Sequence, residues 1–207
     1  MAFVRVFPGF IAPDKPFTSE GRPLGYTALD YWRFQFSNIW DIYEEVAEFL
    51  VSKALGIEVP YNKNGWTLWD INYKGKRIEV KSSAKYHPWQ EEGYVSKKNV
   101  FGITKSKPQD AQNDDDRIPK RHSDVYVFCL STGENQHDAD PFETDHWEFY
   151  VIPTLTINHE CGDNKSISIG RIKHLLKQGN KGAVPFDQLK SEIDATLEGL
   201  DEQGVLK

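Results

Sequence analysis

The sequence predicts a mixed α/β domain with a central mixed sheet flanked by helices. Three observations carry that prediction: an amphipathic helix early in the chain, a run of short apolar strands after it, and two helical patterns at the end. The helix is read over 38–55, "NIWDIYEEVAEFLVSKAL". Ile39, Tyr43, Val46, Ala47, Leu50 and Ala54 recur there at helical spacing, Gly56 follows as a stop, and Ser37 or Asn38 is placed to cap the start. Residues 57–61, "IEVPY", suit a short edge strand that tolerates Pro60, and Asn64-Gly65 suits a turn. The segment 66–84, "WTLWDINYKGKRIEVKSSA", reads as two strands about a Lys74-Gly75 turn. Residues 95–123 are polar loop with a short helix near 108–113. "DVYVFCLS" (124–131) is a buried strand, and "HWEFYVIPTLTIN" (146–158) is another strand and its exit. The closing helices are read near 168–178, with Ile172, Leu175 and Leu176 apolar, and near 186–198, with Phe186, Leu189, Ile193 and Leu197 on one face. The expected organisation is an arm over 1–36, irregular or built of two short strands, a core over 37–160, and a helical extension over 161–207 packed on that core.

At 207 residues, with 39% hydrophobic and 13% aromatic content, the chain can bury a real core. No apolar run reaches the length a membrane helix needs, and the N-terminal segment is broken by Arg5, Pro8, Pro13 and Asp14, unlike a signal peptide. Cys129 and Cys161 are too few for a disulfide framework or a four-cysteine zinc site, so a reducing cytoplasm is the expected compartment. The net charge of −6 is unevenly spread. Lys74 to Arg121 holds 12 basic residues against 7 acids, while the rest of the chain carries 13 against 24. One side able to face an anion and a self-repelling back fit that pattern, and lysines that merely solvate loops fit it too.

The opening acids of the hairpin are the unusual feature. With Lys74-Gly75 as a two-residue turn, Tyr73 opposes Lys76 and Asp70 falls opposite Glu79. The period of two then puts Lys81 on the face of Glu79, with Ile78, Val80 and Ser82 on the other. Two facing carboxylates repel, so a shared proton, the nearby lysine or a divalent cation must offset them. A third acid comes from the helix. Stepping 100° per residue from Tyr43, Glu44 lands near the border of the apolar face, with Glu45 and Glu48 further round toward solvent.

This constellation, "YEEVAEFL" in the helix, "WD" at 69–70 and "EVK" at 79–81, resembles the PD-(D/E)xK nuclease superfamily, the restriction-endonuclease-like fold. The resemblance covers about residues 38–131, and Trp69 stands where the family name has proline. It implies a core of helix, three antiparallel strands, helix and strand. It also implies Asp70 and Glu79 as metal ligands, Glu44 as an accessory ligand, and Lys81 positioning the attacking water or stabilising charge. Mg²⁺ (or Mn²⁺) would sit between those acids with the Val80 carbonyl as a further oxygen ligand, and the activity would be DNA phosphodiester hydrolysis in restriction, genome defence or repair. Lys97, Lys98, Lys105, Lys107, Arg117, Lys120 and Arg121 would contact phosphates, and Ser83 shares the face of Lys81. The part beyond about 145 lies outside the shared core, where substrate choice or homodimer formation would be set. The rival readings are a catalytically silent nucleic-acid-binding or assembly subunit of the same fold, and an acidic protein-interaction domain.

Other chemistry finds less support. The six histidines, including His137, His146 and His159, lack the spacing of a zinc site. No G-x-S-x-G turn and no Gly-rich phosphate loop is present. A two-carboxylate glycosidase gives no role to Lys81. Trp66, Trp69 and Trp89 suit stacking on bases or sugars, or plain hydrophobic cover.

Overall fold

The computed structural model describes residues 11–36, 42–57, 68–87, 90–91, 93–96, 98–107, 118–135 and 137–202. The strand at 57–61, the Asn64-Gly65 turn, the helix near 108–113, Trp66 and Trp89 fall wholly or mostly outside these residues, as do the caps Ser37 and Asn38. The chain divides into two compact units, Met1–Trp40 and Asp41–Lys207.

In the first unit β1 (Pro16–Ser19) and β2 (Arg22–Thr27) form an antiparallel hairpin, and α1 (Ala28–Phe36) follows. Two of the turn residues, Glu20 and Gly21, take positive φ. The strand pair was expected and the helix was not. Its start is written in Thr27 and Asp30, which cap each other: the Thr27 N–H and hydroxyl both donate to Asp30 Oδ2 at 2.8 Å, and Asp30 N–H returns a 3.4 Å bond to Thr27 Oγ1.

The second unit is α/β. It opens with α2 (Tyr43–Ala54), which starts later than the periodicity suggested, with Ile42 at its N-cap position and no side-chain cap. Gly56, at φ 72°, stops it as expected. Strands β3 (Ile71–Tyr73) and β4 (Lys76–Ala84) are the hairpin, and β5 (Val100–Gly102) follows. Next come β6 (Val125–Ser131), β7 (Trp147–Pro153), α3 (Thr154–Cys161), β8 (Ser166–Ser168), α4 (Ile169–Gln178) and α5 (Phe186–Glu202). The exit from β7 is thus a helix. Pro153, with φ −56°, ends the ladder, and Thr154, Ile157 and Cys161 turn inward at helical spacing.

The four-stranded sheet runs β3-β4-β6-β7 and is mixed: β4 is antiparallel to β3 and parallel to β6, while β6 and β7 are antiparallel. Helices α2 and α5 cover one face, burying Val46, Ala47, Leu50 and Val51 with Leu189, Ile193 and Leu197 against Ile78, Val80, Val125 and Val127. On the other face Tyr126, Phe128, Tyr150 and Ile152 pack under α3, α4 and the antiparallel β5–β8 ribbon. Among the described residues no helix is long and apolar enough to cross a membrane. Cys129 and Cys161 are both buried and unbonded, in different cores.

Candidate active site

The hairpin holds the register counted from its turn. Lys74 and Gly75 both take positive φ, 50° and 76°, which gives the two-residue turn the twist its flanking strands need. Tyr73 pairs with Lys76 and Ile71 with Ile78, and the ladder stops there, one residue short of Asp70 and Glu79. Asp70 stands just before β3 rather than inside it. Its N–H donates to Ile78 O at 3.0 Å, and its Oδ2 accepts from Val80 N–H at 2.7 Å. A carboxylate thus replaces the ladder partner that β3 is too short to supply. In a strand a residue's N–H and C=O point to the same side, so the Val80 carbonyl is directed toward Asp70 as well.

Glu79 and Lys81 lie on the opposite face of β4 from the core residues Ile78 and Val80, beside their partners Tyr126 and Phe128 on β6. Lys81 Nζ meets Glu79 Oε1 at 2.7 Å, with the two side chains 28% and 17% exposed. Burial pushes the Glu79 carboxyl up to about 7; Lys81 opposes the rise, and the charges of Asp70 and Glu48 add to it. For Lys81 burial works downward, but Glu79, then Asp70 and Glu44, hold the ammonium above its usual range. It is the cation of the cluster. Tyr126 is 4% exposed, and burial followed by the charge of Glu79 raises its phenol to about 12.

The helix acids differ from the wheel reading. Glu44 and Glu45 are exposed in the first turn of α2, while Glu48, one turn further in, is half-buried. The wheel fixes direction around the axis but not depth along it. The buried face also widens toward Glu48, because Val51, Ser52 and Leu55 all turn inward. Both acids are felt electrostatically, Glu44 at Lys81 and Glu48 at Glu79.

Ser83 continues the line of Glu79 and Lys81, and its Oγ accepts from Asn99 Nδ2 at 3.2 Å; the same nitrogen donates to Ala84 O at 2.7 Å. Asn99 is buried and was missed, as were Tyr126 and Glu48. The register of "DVYVFCLS" against β4 would have found Tyr126; nothing local marks Asn99.

The lysines divide. Lys98, Lys107 and Lys120 are exposed, and a two-residue bridge between Ser106 and Lys120 joins their segments. Lys105 pairs with Asp163 at 2.7 Å. Lys97 and Arg117 lie outside the described residues. Arg121 is not a surface cation. It is 6% exposed, and its guanidinium donates to Ile103 O, Asn158 Oδ1, Gly162 O and Asn164 O at 2.7–3.0 Å. It closes a loop rather than meeting a phosphate.

Among the described residues no three or more His, Cys, Asp or Glu stand grouped to hold a metal ion. The hairpin segment offers the Asp70 and Glu79 carboxylates and the Val80 carbonyl as hard oxygen donors. That donor set fits a hard divalent cation that keeps several waters, and such a charge would favour the ionised form of Glu79 that burial disfavours. Neither a family model nor a curated protein nor a solved structure matches the chain.

Proposed function

We propose that the protein is a Mg²⁺-dependent nuclease that hydrolyses phosphodiester bonds in DNA on a restriction-endonuclease-like core. The observation that carries the reading is the ion pair of Lys81 with Glu79 on β4, with the Asp70 carboxylate bonded to the N–H of Val80 between them. The order α2, β3, β4 and then β6 parallel to β4 supports it. Between β4 and β6, where that family has a helix, the described residues form β5 and loops, and 108–117 lie outside them.

In this reading Asp70, Glu79 and the Val80 carbonyl would hold the ion, with Glu44 or Glu48 as an accessory ligand. The chemistry a bound Mg²⁺ supplies is a more acidic water and neutralisation of charge on the phosphate. Lys81 orients the attacking water and, as a retained cation, stabilises the charge that develops on the phosphate oxygens. With a cation bound beside it, Glu79 would be held as a carboxylate.

The test is plasmid DNA with and without Mg²⁺, against Lys81→Ala and Glu79→Ala. Cleavage that needs the metal and is lost in both variants is the expected result. Metal-independent cutting, or activity unchanged by both substitutions, sinks the proposal. Tight DNA binding with no turnover selects the silent subunit instead.

A further inference from the structure

From Asn164 to Phe186 the chain holds Lys165, Arg171, Lys173, Lys177 and Lys181 and no Asp or Glu, although its net charge is −6. The fold makes this stretch into β8, α4 and the turn after them. Helix α4 buries Ile172, Leu175 and Leu176, which leaves Lys173, His174 and Lys177 on its solvent side. Acids on neighbouring elements meet Lys173, Arg171 and Lys181: Glu148 pairs with Lys173 at 3.4 Å, Glu160 with Arg171 at 2.6 Å and Glu192 with Lys181 at 2.6 Å. Lys165 and Lys177 are exposed and have no ion pair among the described residues. These two lysines leave positive potential on this side of the chain.

The position of the stretch adds to this. Helix α4 covers the sheet face on which Glu79 and Lys81 stand. The β5–β8 ladder joins it to the segment carrying Lys98, Lys105 and Lys107, and Ile103 N–H and Thr104 Oγ1 both donate to Lys165 O. We propose that the solvent face of α4, with Lys165 beside it, is a contact surface for the phosphate backbone of DNA led to the Glu79–Lys81 site. The inference rests on the nuclease reading for its substrate. Contacts of this kind position a strand without reading its sequence.

The test measures binding by fluorescence anisotropy with a short labelled DNA duplex, in EDTA so that no bond is cut, across a series of KCl concentrations. The double variant Lys165→Gln/Lys177→Gln is compared with the wild type and with Lys53→Gln, which removes a lysine from α2 across the sheet. Circular dichroism checks that each is folded. The double variant is expected to bind about tenfold more weakly at low salt, with the slope of log K against log salt reduced by about 2, while Lys53→Gln leaves both unchanged. Equal affinity and slope in the double variant and the wild type overturn the proposal. So does tighter binding to phosphatidylserine vesicles than to duplex at the same salt. The failures are separable: weakened binding by the double variant with no plasmid cleavage by the wild type keeps this surface and removes the nuclease, and intact cleavage with unmoved affinity does the reverse.

Discussion

The Asp70 carboxylate and the Val80 backbone N–H are joined at 2.7 Å, although Asp70 stands beyond the last paired residue of β3. The side chain therefore has a structural task that is separable from its charge. Asp70→Asn keeps an oxygen acceptor for that N–H, and Asp70→Ala removes it. Losing the acceptor costs about 1–3 kcal/mol, so the alanine variant should be less stable than the asparagine variant by that amount in urea denaturation with unchanged m. Equal stabilities would mean that water serves the N–H as well.

Glu79 sets a pH dependence. Its folded carboxyl is raised from 4.5 to about 7 by burial, with Asp70 and Glu48 adding to the rise against Lys81. Between those values the folded protein keeps a proton that the unfolded chain has released. Stability from this group is therefore greatest on the acid side and is lost as pH rises to about 7. Glu79→Gln abolishes the titration. Relative to wild type it should gain on the order of 1–3 kcal/mol between about pH 5 and about pH 8, read from denaturation midpoints in metal-free buffer. A difference that stays constant with pH would contradict this.

Arg121 should behave as a core residue. Arg121→Lys retains the charge but cannot reach four acceptors with a planar fork. A loss of about 3 kcal/mol or more is expected, whereas Lys107→Ala, on an exposed loop, should stay within about 0.5 kcal/mol of wild type. Comparable stabilities for the two variants would return Arg121 to the surface set.

The hairpin turn is tied to α5 by charge. Asp194 accepts from Lys74 at 2.8 Å and from Lys190 at 2.5 Å; Lys190 also reaches Tyr73 OH at 3.1 Å. Burial would raise the Asp194 carboxyl, but the bonds from Lys190 and Lys74 hold it down at about 2. What it contributes is present above 3.8 and lost as pH falls toward about 2. Asp194→Asn should cost at most about 1 kcal/mol at neutral pH, and less in high salt. A larger, salt-independent loss in thermal unfolding would point to packing instead.

The parts of this fold that read correctly from sequence are those in which one local rule decides. Lys74-Gly75 set the hairpin register, Tyr73 against Lys76 and Ile71 against Ile78. The apolar spacing of Ile172, Leu175 and Leu176 put the helix near 168–178, and α4 runs Ile169–Gln178. What misled was neighbourhood. Arg121 follows Lys120 in the chain, but only the fold shows it turned inward onto the α3–β8 loop. Glu44 and Glu48 differ by depth along a helix, which periodicity does not carry. The β5–β8 ribbon pairs strands of three residues each, too short for alternation to be seen, and so the basic face of α4 had no visible link to the loop lysines.

Strand β6 is buried at every residue, bonded to β4 on one edge and to β7 on the other, and covered on both faces. Its amides can exchange with solvent only when the whole α/β unit opens. Glu79 and Lys81 are one ladder away from this strand, so they sit on the part of the protein that breathes least. Asp70 joins them from just before the three-residue strand β3, bonded to β4 through its N–H to Ile78 O and its carboxylate to Val80 N–H, with the turn beyond clipped to α5. The proposed site thus draws Glu79 and Lys81 from the better-anchored strand and Asp70 from a three-residue one.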